Sequence, residues 1–175
     1  EAAVGAFGNI ASYYRNQLLL QQTPPPLSTL SKPDIEGARL VIESVLAERR
    51  KVLTELESKT LLSSFHIPVT TTILARSANE AVMIATQLGF PVALKIDSPD
   101  ISHKSDVHGV ALNIMNGASA RDTYDDMVQR VKSLRPDARI NGVTVQKMAR
   151  AQRGREISIG LVTDDPFGPV IVFGA

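Results

Sequence analysis

Apolar and polar positions along the 175 residues follow two successive patterns. Up to about residue 65 the apolar residues recur at helical spacing. Ala2 to Gln22 reads as a helix already under way, with no capping residue ahead of it. The prolines of Thr23-Pro24-Pro25-Pro26 forbid helix and favour extended polyproline geometry, so 23–33 is expected to be a linker. Pro33-Asp34 then opens a helix whose Ile35, Ala38, Val41, Ile42 and Val45 share one face. Thr54, with Glu57 three residues on, is a capping-box pattern for a further helix running to Phe65.

From Ile67 strands and helices alternate. Val69 to Leu74 is β-branched and strand-like. Ser77 and Glu80 form a second capping box, Ala81, Val82, Ala85 and Leu88 give one helical face, and Gly89 supplies the stop. An apolar strand, Val92 to Ile96, leads into a polar loop and then into a strand from Val110 to Met115. Ser119 is expected to cap a helix carrying Tyr124, Met127, Val128, Val131 and Leu134, which Pro136 ends. Three strands follow at Gly142 to Met148, Glu156 to Thr163 and Pro169 to Phe173. Short connections without helices between these last strands predict an α/β fold on a mixed sheet with flanking helices.

Composition narrows the field. A net charge of +1 without a Lys/Arg run argues against a nucleic-acid surface. The absence of cysteine excludes disulfides and thiolate zinc sites and fits a reducing cytoplasm. No apolar run nears the roughly 18 residues that span a bilayer, so no membrane partner is expected. The opening E-A-A-V-G-A-F-G lacks a signal pattern, and both ends look cut, which suggests a segment of a larger protein.

Lys95 is the residue that stands out. A bare ammonium on an interior strand is costly, so it either meets an anion, such as a nucleotide phosphate, or snorkels from a sheet edge into water. The adjoining loop, Ser102 to Gly109, bears on the choice. Its backbone amides can form an anion nest, Ser105 adds a hydroxyl, Lys104 a second cation, and Gly109 allows close approach or positive φ. A plain polar turn is the alternative. Asp106 would repel phosphate and is better read as capping the loop or orienting Lys104. His103 could accept a phosphoryl group, or could simply be solvated. His66 reads as structural, and His108 is ambiguous. Gln146, Lys147 and Met148 end a strand that can offer main-chain groups to an adenine edge, with Met148 on the ring face. Glu156 can bind a ribose hydroxyl pair, or be a solvated strand-end acid. Asp164 to Gly168 is a turn, whose Asp165 either reaches a metal or caps its own backbone.

In order, V-A-L-K-I-D-S-P-D-I-S-H-K-S-D-V, G-V-T-V-Q-K-M and R-E-I-S-I-G-L-V-T-D-D-P-F-G-P-V-I-V-F-G resemble the ATP-grasp domain of the NDP-forming acyl-CoA synthetases, over about Leu53 to Ala175. The chain is most similar to the bacterial fusions that add a GNAT domain, the protein lysine acetyltransferases. Residues 1–22 then look like the end of the connection from a preceding ligase-CoA domain, 23–33 the linker, and 34–175 an ATP-grasp domain truncated at its C-terminal side.

The resemblance implies interconversion of acyl-CoA, NDP and phosphate with free acid, CoA and NTP through phosphohistidine. Lys95 would contact ATP or ADP phosphates, with Lys104, Ser105 and Gly109 in the phosphate loop. His103 would relay the phosphoryl group, Gln146 to Met148 would form the adenine hinge, and Glu156 would hold the ribose. It further implies Mg2+ held by ligands beyond the chain end, a CoA thioester in the parent protein, and CoA-binding, ligase and GNAT domains in the same polypeptide. A homo-oligomer is compatible with it. The fragment alone is expected to be inactive. His108 stands where the family has glycine, and is expected to stiffen the loop and crowd the phosphates. The rival reading is a catalytically silent nucleotide- or acyl-CoA-sensing module regulating an acetyltransferase; a ligand-free α/β scaffold is the third.

Overall fold

The computed structural model describes residues 2–22, 31–149, 154 and 156–174. Most of the expected linker at 23–33, and most of the polar loop from Ala149 to Arg155, lie outside the described residues. Two compact units are present, Glu1–Asp34 and Ile35–Ala175. The first contains helix α1 (Ala2–Leu20). No described helix is long and apolar enough to cross a membrane.

In the second unit, α2 (Ile35–Ala47) and α3 (Glu55–Ser64) form a helix pair. Of the expected apolar face of α2, Ala38 and Val45 are buried, whereas Ile35 and Ile42 are exposed. The capping box at the head of α3 is complete: Glu57 N donates to Thr54 Oγ1, and Thr54 N donates to Glu57 Oε2 at 2.7 Å. Arg50 braces the α2–α3 connection by donating to both carboxylate oxygens of Glu57 (2.6 and 2.9 Å) and to Glu48 (2.8 Å). That bidentate pairing holds the Glu57 carboxyl below its ordinary range.

A four-stranded sheet in the order β1-β4-β2-β3 carries the rest: β1 (Thr72–Ala75), β2 (Val92–Asp97), β3 (Val110–Ile114) and β4 (Gly142–Lys147). Its pairings are all antiparallel, which corrects the expected mixed sheet. β1 and β2 do run in the same direction around α4 (Ala78–Leu88). However, β4 is inserted between them and is antiparallel to both. β1 also starts three residues later than expected. Its ladder with β4 ends at Thr72 opposite Gln146, leaving Val69 to Thr71 without a partner strand among the described residues.

The caps follow local chemistry more closely than the ranges did. Ser77 caps α4 as expected, but Glu80 reaches past it to the Arg76 amide (2.7 Å), so the second box is half made. Gly89, at φ 81°, closes α4. Helix α5 (Gly117–Leu134) is capped by Asn116, not Ser119; Asn116 Oδ1 accepts from the Ser119 amide at 2.8 Å. An amide oxygen three residues upstream satisfies the same free helix-start donors that the Ser119 hydroxyl was expected to serve.

Helices α4 and α5 cover one face of the sheet. Leu94, Ile96, Val143 and Val145 are fully buried there against Ala81, Ala85, Met127 and Val131. Strands β5 (Ser158–Asp164) and β6 (Gly168–Gly174) form a separate antiparallel hairpin around the expected turn. Ile159, Leu161, Ile171 and Phe173 are exposed on it.

Candidate functional site

Side chains alternate along β2. Val92, Leu94 and Ile96 enter the helix-covered core, so Lys95 and Asp97 project from the opposite face. On β4 the same alternation sends Val143 and Val145 inward and places Thr144 and Gln146 beside Lys95 and Ala93. The second face is therefore polar at its centre, and α3 supplies the side chains that meet it.

Lys95 Nζ donates to Glu55 Oε1 at 2.9 Å and to Gln146 Oε1 at 3.1 Å. Lys59, one turn after Glu55, donates to the same two oxygens at 3.0 and 2.9 Å, and to Thr70 Oγ1 and Thr72 Oγ1 on the approach to β1 and at its first residue. One carboxylate oxygen and one amide oxygen thus bridge two ammonium groups. The cluster is largely withdrawn from water, with side-chain exposures of 16% for Glu55, 19% for Lys59 and 24% for Lys95. Burial alone would push the Glu55 carboxyl up; hydrogen bonds from Lys95 and Lys59 outweigh it and hold the group below its ordinary value.

Two cations against one anion leave the cluster with a surplus positive charge. At an effective dielectric near 20, an anionic oxygen about 4 Å from such a charge gains about 4 kcal/mol before desolvation. Lys95 does not snorkel from an edge. It is on an inner strand, with Val110 of β3 on one side and Thr144 of β4 on the other. A cleft of about 310 Å³ adjoins the cluster, sharing Lys59, Thr70 and Thr72 and lined also by Leu56 and Val69.

At the end of β2, Asp97 is 3% exposed. Its Oδ2 accepts from Asn141 Nδ2 at 2.9 Å, while Oδ1 has no partner among the described residues.

The loop after β2 folds as one 3-10 turn, Lys104–Val107, anchored by buried Ile101 and Val107. His108 N donates to Ser105 O (3.1 Å) and Gly109 N to Lys104 O (2.7 Å), with His108 in the left-handed region at φ 53°. This is the Schellman closure, whose left-handed position usually takes glycine. His108 thus occupies a left-handed backbone position that a glycine would fill without strain. With the Asp106 amide donating to His103 O, three of the loop amides are used inside the turn, so the nest has fewer free donors than expected. No ion pair joins Asp106 to Lys104 among the described residues. Gly109 is required by close approach: a Cβ there would lie 2.4 Å from Ile96 Cγ2 and 3.1 Å from Lys104 O. His103, Ser105 and His108 are exposed, and the His103 side chain makes no capping bond.

The remaining expected residues are more scattered. Gln146 turns its side chain to the lysines, Lys147 is exposed, and the Met148 amide already donates to Pro91 O at 3.2 Å. Glu156 is exposed and precedes β5 by two residues, where the sequence had placed it at the strand's start. Glu55, Lys59, Thr70 and Thr72 were not anticipated. The available signal was α3 itself, a helix with Glu and Lys four apart and no buried residue, lying beside a sheet.

These features define an α/β domain with a cationic, polar sheet face suited to anions. The chain belongs to the ATP-grasp domain family, whose profile matches residues 44–175. It is 41% identical over 140 residues to the acetate–CoA ligase [ADP-forming] I subunit beta of Pyrococcus furiosus, covering 80% of this chain and 59% of that protein. It is 34% identical over 172 residues to the 4-hydroxybutyrate–CoA ligase [ADP-forming] of Nitrosopumilus maritimus, covering 98% of this chain and 24% of that protein. The chain thus spans less than two thirds of the length of either relative.

Among solved structures, it matches the Ca. Korarchaeum cryptofilum dinucleotide forming acetyl-coenzyme A synthetase 1, in complex with coenzyme A and Ca-AMPCP. The TM-score is 0.73 at 42% identity, over 78% of this chain and 59% of that one. The same synthetase has been solved with Mg-AMPPCP and its phosphohistidine segment pointing towards the nucleotide binding site. That match has a TM-score of 0.61 at 36% identity, over 78% of this chain and 56% of that one.

Proposed function

We propose that this chain is the nucleotide-binding part of an ADP-forming acyl-CoA synthetase, working by phosphoryl transfer through histidine. The observation that carries the reading is Lys95, held on the open sheet face in a cluster with one surplus positive charge. The ligase relatives and the AMPCP-bound synthetase support it. ATP would give up its terminal phosphoryl group to histidine and leave as ADP, and in the reverse direction ADP would take that group back from phosphohistidine; Mg2+ accompanies the nucleotide analogue in the AMPPCP-bound relative. What the described residues bring to the phosphates is the positive charge of the Lys95 cluster.

Lys95 neutralises phosphate charge, which is what a loose phosphoryl-transfer transition state asks of a protein. Lys104 and Ser105 line the adjoining turn, and Gly109 keeps that turn tight against Ile96. His103, exposed and uncapped, is the phosphoryl acceptor. Gln146 belongs to the phosphate side through its side chain, Lys147 and Met148 follow it towards the base, and Glu156 serves the ribose. CoA-binding and ligase domains of the same polypeptide or of a partner subunit complete the reaction. The acetyltransferase-fused arrangement and its silent sensing variant rest on sequence resemblance alone; no feature of the site favours them.

The test is the full-length protein mixed with acetyl-CoA, ADP and phosphate. ATP and an acid-labile phosphoprotein should form, and both should vanish in His103→Ala. Their absence from the unmutated protein would contradict the synthetase reading.

A further inference from the structure

We propose that Lys59, acting through Glu55 and Gln146, is the positioning residue that aims Lys95 at an anionic ligand. The inference rests on the nucleotide reading above only for the identity of that anion. Its basis is a count of donors. An ammonium has three N–H groups. Lys59 Nζ has four acceptors within 3.1 Å: Thr70 Oγ1, Thr72 Oγ1, Gln146 Oε1 and Glu55 Oε1. Its donors are saturated by the protein, so none is left for a ligand. Lys95 Nζ has two acceptors, Glu55 Oε1 and Gln146 Oε1, which leaves one N–H without a partner among the described residues.

The two lysines therefore have different work. Lys59 joins α3, the Thr70–Thr72 segment and β4 by a single group, and it fixes the two oxygens that orient its neighbour. Glu55 cannot easily swing aside. It sits in the first turn of a helix whose start is capped by Thr54 and whose Glu57 is gripped by Arg50. With Glu55 and Gln146 fixed, Lys95 has two of its three donors constrained, and the direction of the third is set. A lysine so restrained loses little side-chain freedom when a phosphate arrives, which is the benefit of preorganisation. Lys59 touches no ligand in this scheme.

The decisive readout is the Lys95 ammonium, followed by heteronuclear NMR of the lysine NH3+ groups in the full protein without nucleotide. In the unmutated protein, Lys95 should give a slowly exchanging, dispersed signal. Lys59→Met should broaden or abolish it while the backbone amide spectrum persists. Glu55→Gln, which keeps the shape, should speed its exchange severalfold and decides the matter if Lys59→Met does not fold. A Lys95 signal unchanged in whichever variant folds would overturn the proposal. As a second measurement, MgATP should bind Lys59→Met about tenfold more weakly, while Lys59→Arg recovers part of the loss. Equal affinity in Lys59→Met would also overturn it. If the unmutated protein binds no MgATP, the nucleotide reading falls, and the NMR comparison still decides the positioning role.

Discussion

Leu94 and Lys95 are consecutive residues of β2 and serve opposite faces of one sheet. Leu94 and the residues two along in either direction lie beneath α4 and α5, wholly out of water, where non-directional apolar burial holds the layers together. Lys95 belongs to a face organised by charge-assisted hydrogen bonds among four side chains from three elements, and that face is left partly open. The comparison teaches where chemistry can reside in a small α/β layer. Once one face satisfies the need for a core, the pleat frees the other for groups that no core would accept, and the same strand makes both rigid.

Breaking the covered face should have the largest effect. Leu94→Ala should cost about 3 kcal/mol in urea denaturation, because it removes a fully buried side chain and leaves a cavity between sheet and helices. Lys95→Met, one residue on, should change stability by less than about 1 kcal/mol, since Glu55 keeps Lys59. A Lys95→Met loss matching that of Leu94→Ala would erase the distinction between the faces.

Gly109→Ala touches both sides. The added methyl would press on the core residue Ile96 and on the backbone of the His103 turn, and should cost about 2 kcal/mol. Thermal unfolding would read this, and His108→Gly beside it should do the reverse. Relieving the left-handed backbone at φ 53° should gain about 0.5 kcal/mol after the added chain entropy is counted.

Acid should act through the polar face and the Arg50 brace. Glu55 and Glu57 have folded values below their unfolded ones, so their contribution is complete above the unfolded value of about 4.5. It is lost as pH falls below that through the folded values. Chemical denaturation between pH 6 and 3 should show a decline that Glu55→Gln with Glu57→Gln flattens. A decline of unchanged slope would assign the acid sensitivity elsewhere.

Much of this could be read from the chain. Local signals carried the helices: the Thr54–Glu57 box, Ser77, Gly89 and the Tyr124–Met127–Val131 stripe all do what their chemistry suggests. Lys95 was legible because an ammonium within an apolar strand demands an explanation. Strand pairing was not. Alternating strands and helices suggest neighbouring parallel strands, and nothing local says that β4 returns between β1 and β2. Glu55 and Lys59 were missed for the same reason. Lys59 and Gln146 are 87 residues apart, and only the tertiary fold brings them to one oxygen. The loop offers fewer amides than its sequence suggests, because a Schellman closure consumes donors that the sequence of a glycine-ended polar stretch leaves unassigned.

Titration calorimetry of MgATP into the unmutated protein and into Lys95→Met most directly tests whether the open sheet face is the phosphate site. The unmutated protein should bind, Lys95→Met should bind at least 100-fold more weakly, and the two should unfold at similar temperatures without ligand. Equal affinity in the two proteins, or no binding by the unmutated one, would contradict the assignment.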